Sequence, residues 1–374
     1  MKVTHVISDT NIGGAGILLC NLIGATSDFC KACVILPRGS QLTDTVSKYT
    51  SRVTELPIHK DKSFSPSDVI RFFHYFKENP TDILHTHASL SSRIGATLAG
   101  TRVCVSTRHC AHTEAETRRK TPMQIKLYNF CTRMTVSTAD FATRNLIAEG
   151  ISEERIITIK NGVPERKRLG TGMGISVKRA LSLPDGARVI GSCARLETVK
   201  GQDLILRAAP RIIKLIPHVY FLFVGDGTAM ATYERLAARL GISERVRFIG
   251  FTSEPEVYEN IFDINVNSSR GTETSCLATS ECMSLGIPTV ASDFGGNPEM
   301  IRDGVNGLLF RTDNHFSLGD KLITLLSDTE LYKRLSLGAR EVFRSFYSVE
   351  RMAEEYKRLY TALYEQAHAR RIPI

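Results

Sequence analysis

Short apolar or alternating runs recur along the chain, separated by longer stretches of helical periodicity. In the first half VTHVIS (3–8), ACVILP (32–37), DILHTH (82–87), VCVST (103–107), MTVST (134–138) and RIITIK (155–160) read as strands. The second half repeats the rhythm with RVIGSCA (188–194), YFLFVGDG (220–227), RVRFIG (245–250), INVNSS (264–269) and IPTVAS (287–292). Stretches such as PSDVIRFFHYFKENP, opening on Ser65-Pro66 and closing at Asn79-Pro80, read as the intervening helices. Strands spaced by helices predict α/β architecture, with parallel sheets covered on both faces. NGVPERKRLGTGMG (161–174) loses periodicity and gains Gly, Pro and charge. The pattern therefore predicts a first domain over 1–165, a linker over 166–185 and a second domain over 186–345. SVERMAEEYKRLYTALYEQ (348–366) reads as a last helix capped by Ser348. Two doubly wound domains place a ligand in the cleft between them, at the carboxyl ends of the strands.

Bulk composition narrows the class. A chain of 374 residues exceeds one ordinary core, and 42% hydrophobic with 23% charged residues is the balance of a water-soluble globular protein. Apolar runs stay short of the ~20 residues that span a bilayer. MKVTHVISDTNIGGAG reads as a first strand entering a loop rather than as a signal peptide. Nine scattered cysteines argue for reduced thiols in a cytosol, and Cys30 and Cys33 read as strand thiols rather than a redox or metal pair.

Charge is distributed unevenly. Residues 1–187 hold 25 Lys+Arg and 16 Asp+Glu (25 − 16 = +9), while residues 188–374 hold 23 of each (23 − 23 = 0). The basic first half is expected to meet something anionic. Within it, Arg118, Arg119 and Lys120 precede a helix begun at Pro122, with Met123, Leu127, Phe130 and Met134 at helical spacing. That stripe either faces the core or, with the cationic cluster, lies on an anionic membrane surface. With no Trp and no aromatic-basic interleaving, a nucleic-acid partner is disfavoured.

Three clusters carry chemistry. Gly13-Gly14-Ala15-Gly16 follows the first strand and serves either a close backbone approach to a phosphate or sugar, or a tight turn without a ligand. Arg195 and Lys200, ahead of Gly201, supply a planar fork and a point charge suited to a diphosphate; alone they read equally as a solvated loop. Gly225-Asp226-Gly227 adds a tight turn near the same place. In RGTETSCLATSECMSLGIP, a helix predicted from Ser275 to Gly286 puts the N–H groups of Ser275, Cys276 and Leu277 between Glu273 and Glu281. Acid, anion-binding helix end, acid matches sugar, diphosphate, ribose.

These residues resemble the retaining nucleotide-sugar glycosyltransferases of family 4, with the two-domain GT-B fold. Glu273 through Glu281 is similar to the family's acid-x7-acid motif, Arg195, Lys200 and Gly201 to its R-x4-K-G, and Gly295-Gly296-Asn297-Pro298-Glu299 to its following glycine loop. Asn161-Gly162-Val163 resembles its inter-domain hinge and Gly13 to Gly16 its first glycine loop. The chain departs from the family at Ser275 and Cys276, where a glycine is often found.

The resemblance implies two Rossmann-like domains facing a cleft, donor on the second and acceptor on the first, with the last helix packing back on the first. It implies transfer of a sugar from a nucleotide diphosphate sugar to a hydroxyl of a glycan or lipid-linked acceptor, with retention, in cell-envelope or surface polysaccharide synthesis. His109, Arg195, Lys200 and Glu273 would be catalytic. Gly14, Gly16, Gly225, Ser275, Cys276, Leu277 and Glu281 would bind donor, and His85 and His87 would line the acceptor side. His112 reads as structural. Neither cofactor nor metal is expected, and the location implied is cytoplasmic, peripheral on the membrane. Three other readings stay open: a nucleotide-sugar epimerase of the same architecture, a phosphorylase-like enzyme, for whose pyridoxal lysine the sequence offers no clear candidate, and a non-catalytic partner subunit.

Overall fold

Strands that must be covered on both faces carry apolar residues at both parities, and this chain folds that way. The computed structural model describes residues 1–109, 117–271 and 273–369. It divides into two units, Met1–Val163 with Ser348–Ile374, and Pro164–Tyr347. The first holds a seven-stranded sheet built from β1 (Lys2–Ile7), β2 (Lys31–Pro37), β3 (Val53–Leu56), β4 (Ile83–His87), β5 (Val103–Arg108), β6 (Met134–Ser137) and β7 (Ile156–Thr158). Its order is β3-β2-β1-β4-β5-β6-β7, and its registered pairs are parallel. The second holds β8 (Arg188–Cys193), β9 (Val219–Val224), β10 (Val246–Gly250), β11 (Ile264–Asn267), β12 (Thr289–Ser292) and β13 (Gly307–Phe310), in order β10-β9-β8-β11-β12-β13.

Alternation along single strands shows how each sheet is closed. On β9, Val219, Phe221 and Phe223 enter one core with Leu206, Ile212 and Leu322, while Leu222 and Val224 enter another with Phe262, Leu285 and Ile287. On β1, Ile7 packs with Leu19, Ile23 and Leu36, and its neighbour Val6 packs with Phe72, Phe76 and Leu84. Burial on both faces makes such strands continuous apolar runs. The helix Val349–Ala369 covers the first unit, with Tyr356 Oη 3.4 Å from Thr107 Oγ1 and Tyr360 Oη 2.7 Å from His85 Nδ1.

Every strand read from the pattern has a counterpart. β3 and β13 were not read, because VTEL and GLLF are four residues each. The 166–185 stretch is more ordered than a linker: it carries the helix Thr171–Ala180, and Val177 and Leu181 pack against the cluster of Leu183, Ala187 and Val189. Its glycines hid the helical spacing. Chain order reverses between β1 and β4 in one sheet and between β8 and β11 in the other. At such switch points the loops leave in opposite directions and open a crevice at the strands' carboxyl ends.

Candidate functional site

The second unit's crevice is where the sequence motifs converge. Its pocket is lined by Cys193 and Ala194 from the end of β8, Asn267 and Ser268 from the end of β11, and by Lys200 and Glu273. Lys200 Nζ donates to Glu273 Oε2 at 2.8 Å, with both side chains largely buried. Burial opposes the charge on Lys200, but the Glu273 carboxylate, through its charge and its hydrogen bond, outweighs it, and the ammonium ends above its ordinary pKa. Burial, then Glu273, push the Cys276 thiol up to about 11, so it stays protonated and unreactive near neutrality. Arg195, next in sequence to the pocket-lining Ala194, is exposed, and its carbonyl accepts from Gln202 Nε2 at 2.9 Å.

Backbone packing holds this arrangement. Gly201 has φ +68°, and a Cβ there would lie 2.1 Å from the Ser268 carbonyl oxygen. A Cβ on Gly296 would lie 1.7 Å from the Thr274 carbonyl oxygen, and Gly296 N–H donates to the Glu273 carbonyl at 3.1 Å. The glycine loop thus sits directly on the acid-bearing loop. Gly225 follows β9 and takes an antiparallel bridge to Gly250.

The helix after Glu273 begins later than its sequence suggests. It spans Leu277–Ser284 with Cys276 as N-cap, and the Cys276 N–H is given to Met300 Sδ at 3.3 Å. Ser275 and Cys276 therefore belong to the approach loop, and the first turn opens at Leu277. Glu281 lies four residues on, about 6 Å along the axis. Its Oε1 accepts from Arg166 Nη2 at 2.7 Å. Arg166 also meets Glu256 at 3.3 Å. Glu259, wholly buried, has its carboxyl against Glu281 and Cys193. Burial, then Glu281, raise the Glu259 pKa well above the usual carboxylate range.

In the first unit the histidines form a layer. His85, at 0% exposure, has Nδ1 2.7 Å from Tyr360 Oη and Nε2 2.7 Å from Thr107 Oγ1. It ties β4 to β5 and the last helix, a core position rather than the acceptor-lining one expected. His87 is buried too, with Nδ1 2.8 Å from His109 Nε2 and Nε2 3.5 Å from His5 Nδ1. His109 stands half-buried at the end of β5. Burial lowers all four imidazoles, His109 to about 4 and His5 to about 3, with neighbouring histidines adding to the effect at His85 and His87. His5, His85 and His87 bring ligand atoms within 4.8 Å of one another. Both ring nitrogens of His85 and His87 already have partners, so a metal there would compete with them. Gly14 is exposed at the first turn of the helix Gly14–Ala25. Gly16, expected at the donor, is buried, and a Cβ on it would meet Leu42 Cδ2 at 2.4 Å. Its smallness serves packing within the domain. His112, Glu114 and Glu116 lie outside the described residues.

Sequence reasoning missed Arg166, Glu259 and His5. Arg166 sat in the stretch read as linker. Glu259 carried a signal, a lone carboxylate inside the apolar VYENIF, and His5 stood at an inward parity of VTHVIS.

Residues 176–342 match the Glycosyl transferases group 1 family and residues 12–167 match Glycosyltransferase Family 4. D-inositol 3-phosphate glycosyltransferase of Mycolicibacterium gilvum (strain PYR-GCK) is 31% identical over 249 residues, 61% of this chain and 54% of that protein. The same enzyme of Geodermatophilus obscurus is 28% identical over 317 residues, 77% of this chain and 68% of that protein. The chain thus spans about half to two thirds of the length of these curated relatives. Among solved structures, HepE of Anabaena in complex with UDP-glucose superposes with TM-score 0.84 at 19% identity, covering 97% of this chain and 100% of that one. A glycosyltransferase from Rickettsia africae superposes with TM-score 0.82 at 18% identity, covering 97% and 98%. At these identities the superpositions show the fold, which is GT-B. The two family matches adjoin and together span most of the sequence, and the chain belongs to the family 4 glycosyltransferases.

Proposed function

We propose that this protein transfers a sugar from a nucleotide diphosphate sugar to a hydroxyl of a glycan or lipid-linked acceptor, with retention at the anomeric carbon and without a metal. The observation that carries the reading is the Lys200–Glu273 pair in the switch-point pocket, with Arg195 next in sequence to the pocket-lining Ala194 and Glu281 one turn along the helix that begins at Leu277. Support for the donor class comes from HepE, solved with UDP-glucose.

Arg195, Lys200 and the helix start at Leu277 take the diphosphate, Glu281 takes the ribose and Glu273 the sugar. Lys200 holds Glu273 until the phosphates arrive and then lies between the two. The bond from the anomeric carbon to the diphosphate oxygen breaks, the bond to the acceptor oxygen forms on the same face, and the acceptor's proton passes to the departing diphosphate. Stabilising that leaving group is the main catalytic task. His109, with its pKa lowered to about 4 by burial, stays neutral near pH 7, so its catalytic part is that of a neutral hydrogen-bonding group.

The acceptor is read from the first unit. Met123, Leu127 and Phe130 are 83%, 41% and 58% exposed on the helix Pro122–Cys131, so this stripe does not face the core. Met134 falls outside that helix, at the start of β6. Arg118, Arg119 and Lys126 are exposed beside it, whereas Lys120 is taken by Glu149. An apolar stripe with flanking cations suits an anionic bilayer, at about 1 kcal/mol per basic residue. No helix among the described residues is long and apolar enough to cross a membrane. A second reading, a small anionic acceptor in solution, is favoured by relatives that carry inositol phosphate in their names.

A melting-temperature screen of nucleoside diphosphates and their sugars, followed by product analysis with and without EDTA, tests the reading. A shift with one nucleotide and EDTA-resistant transfer are expected. Failure of every nucleotide, complete magnesium-reversible loss, or isomerised donor without acceptor would refute it.

A further inference from the structure

Glu259 is a wholly buried carboxyl with no role in the family motifs. It ends the short helix Pro255–Glu259, and no N–H or hydroxyl group among the described residues donates to either carboxyl oxygen. A buried carboxylate needs donors, and without them the neutral carboxylic acid is favoured. What faces it is Glu281 and the Cys193 thiol, with Arg166 near enough to act electrostatically. Arg166 itself donates to Glu281 and pairs with Glu256. A buried carboxyl placed against another carboxylate, with only the weakly donating Cys193 thiol beside it, resolves the conflict by keeping its proton and becoming the donor.

We propose that Glu259 is a positioning residue for the donor's ribose, holding Glu281 in orientation through a carboxyl-to-carboxylate hydrogen bond while Arg166 holds it from the other side. An ionised carboxylate offers about four lone-pair directions. Arg166 and Glu259 occupy two and leave two for the vicinal hydroxyls of a ribose. The inference rests on the donor reading above and adds to it the reason Glu281 has a fixed plane.

The arrangement makes nucleotide binding sensitive to alkali. Burial, then Glu281, favour the neutral form of Glu259, and Arg166 opposes them more weakly. The other titratable groups here are the Cys193 and Cys282 thiols, both held well above their ordinary values by burial and so neutral, and Glu256 on Arg166. When pH rises far enough to ionise Glu259, two carboxylates face one guanidinium, Glu281 turns away and an anionic ligand is repelled.

The test uses calorimetry on the full chain. UDP, GDP and ADP are titrated at pH 6.5 and 9.5, and the tightest is carried forward. Wild type is expected to lose affinity at the higher pH at least threefold more than Glu259→Gln, whose amide N–H also donates but cannot ionise. At pH 6.5 Glu259→Gln should bind within threefold of wild type, and Glu259→Leu, lacking a donor, about tenfold more weakly. Equal pH dependence in wild type and Glu259→Gln, or wild-type affinity in Glu259→Leu, would overturn the proposal. If Glu259→Leu fails to fold, the Glu259→Gln comparison decides alone. Failure of wild type to bind any nucleotide would instead overturn the donor reading, and this inference with it.

Discussion

Removing Lys200 should damage stability and catalysis by separable routes. In Lys200→Met the alkyl stem is kept and the charge is lost, leaving Glu273 unpaired with only 7% of its side chain exposed. Breaking a fully buried pair costs about 3–5 kcal/mol, and the 18% exposure of Lys200 reduces that to about 2–3. For a domain of this size about 2–3 kcal/mol lowers the melting temperature by roughly 4–12 °C. Losing the diphosphate contact costs a further ~2–4 kcal/mol in the transition state, a rate loss of about thirty- to several-hundred-fold. The double variant Lys200→Met/Glu273→Gln removes both charges and should regain most of the melting temperature. It should regain none of the activity. Differential scanning fluorimetry and a coupled nucleotide-release assay read the two quantities. If the double variant recovers turnover together with stability, Lys200 serves the fold and the leaving-group role is wrong.

Glu281→Gln should weaken nucleoside diphosphate binding, because ribose is part of every such ligand, while Glu273→Gln should spare it and lower turnover; calorimetry showing the reverse would mean the ligand's two ends are exchanged. Gly296→Ala, whose Cβ would clash with the Thr274 carbonyl, should lower both melting temperature and donor affinity. Gly172→Ala, in open space on a helix, should stabilise by about 0.5–1 kcal/mol. The buried imidazoles give an acid-side prediction. Their folded pKa values are depressed, so the unfolded chain binds more protons below the ordinary value near 6.5, and stability is lost as pH falls from there toward 4. The melting temperature should fall over that window, and less so in His85→Gln; a flat profile would contradict the neutral histidine layer. Replacing Arg118, Arg119 and Lys126 by Ser should weaken binding to anionic liposomes and its salt dependence, which sedimentation would measure.

Legibility followed physical signal strength. Strands buried on both faces were readable because their apolar runs need no partner to be recognised, as with YFLFVGD. β3 and β13 were too short to rise above their loops. The spacing of the two acids was readable, yet the start of the helix was not, because Ser275 is the better N-cap by residue type and only the fold, which gives the Cys276 N–H to Met300 Sδ, moves the start to Leu277. His85 misled because a histidine at a strand's carboxyl end looks like a ligand-facing group, and only the tyrosines of the last helix, some 270 residues on, reveal it as core. Arg166 and Glu259 become visible only when the fold brings them to Glu281. Gly16 was readable as a glycine but not as a packing one, since Leu42 had to be placed against it first.

The central claim is that the β8–β11 switch point holds a nucleotide sugar in a defined direction. A crystal structure of the protein soaked with the nucleotide sugar that most raises its melting temperature tests this most directly. The ribose is expected on Glu281, the diphosphate against Arg195, Lys200 and the first turn at Leu277, and the sugar beside Glu273. A nucleotide bound elsewhere, or one with its ribose on Glu273, would contradict it.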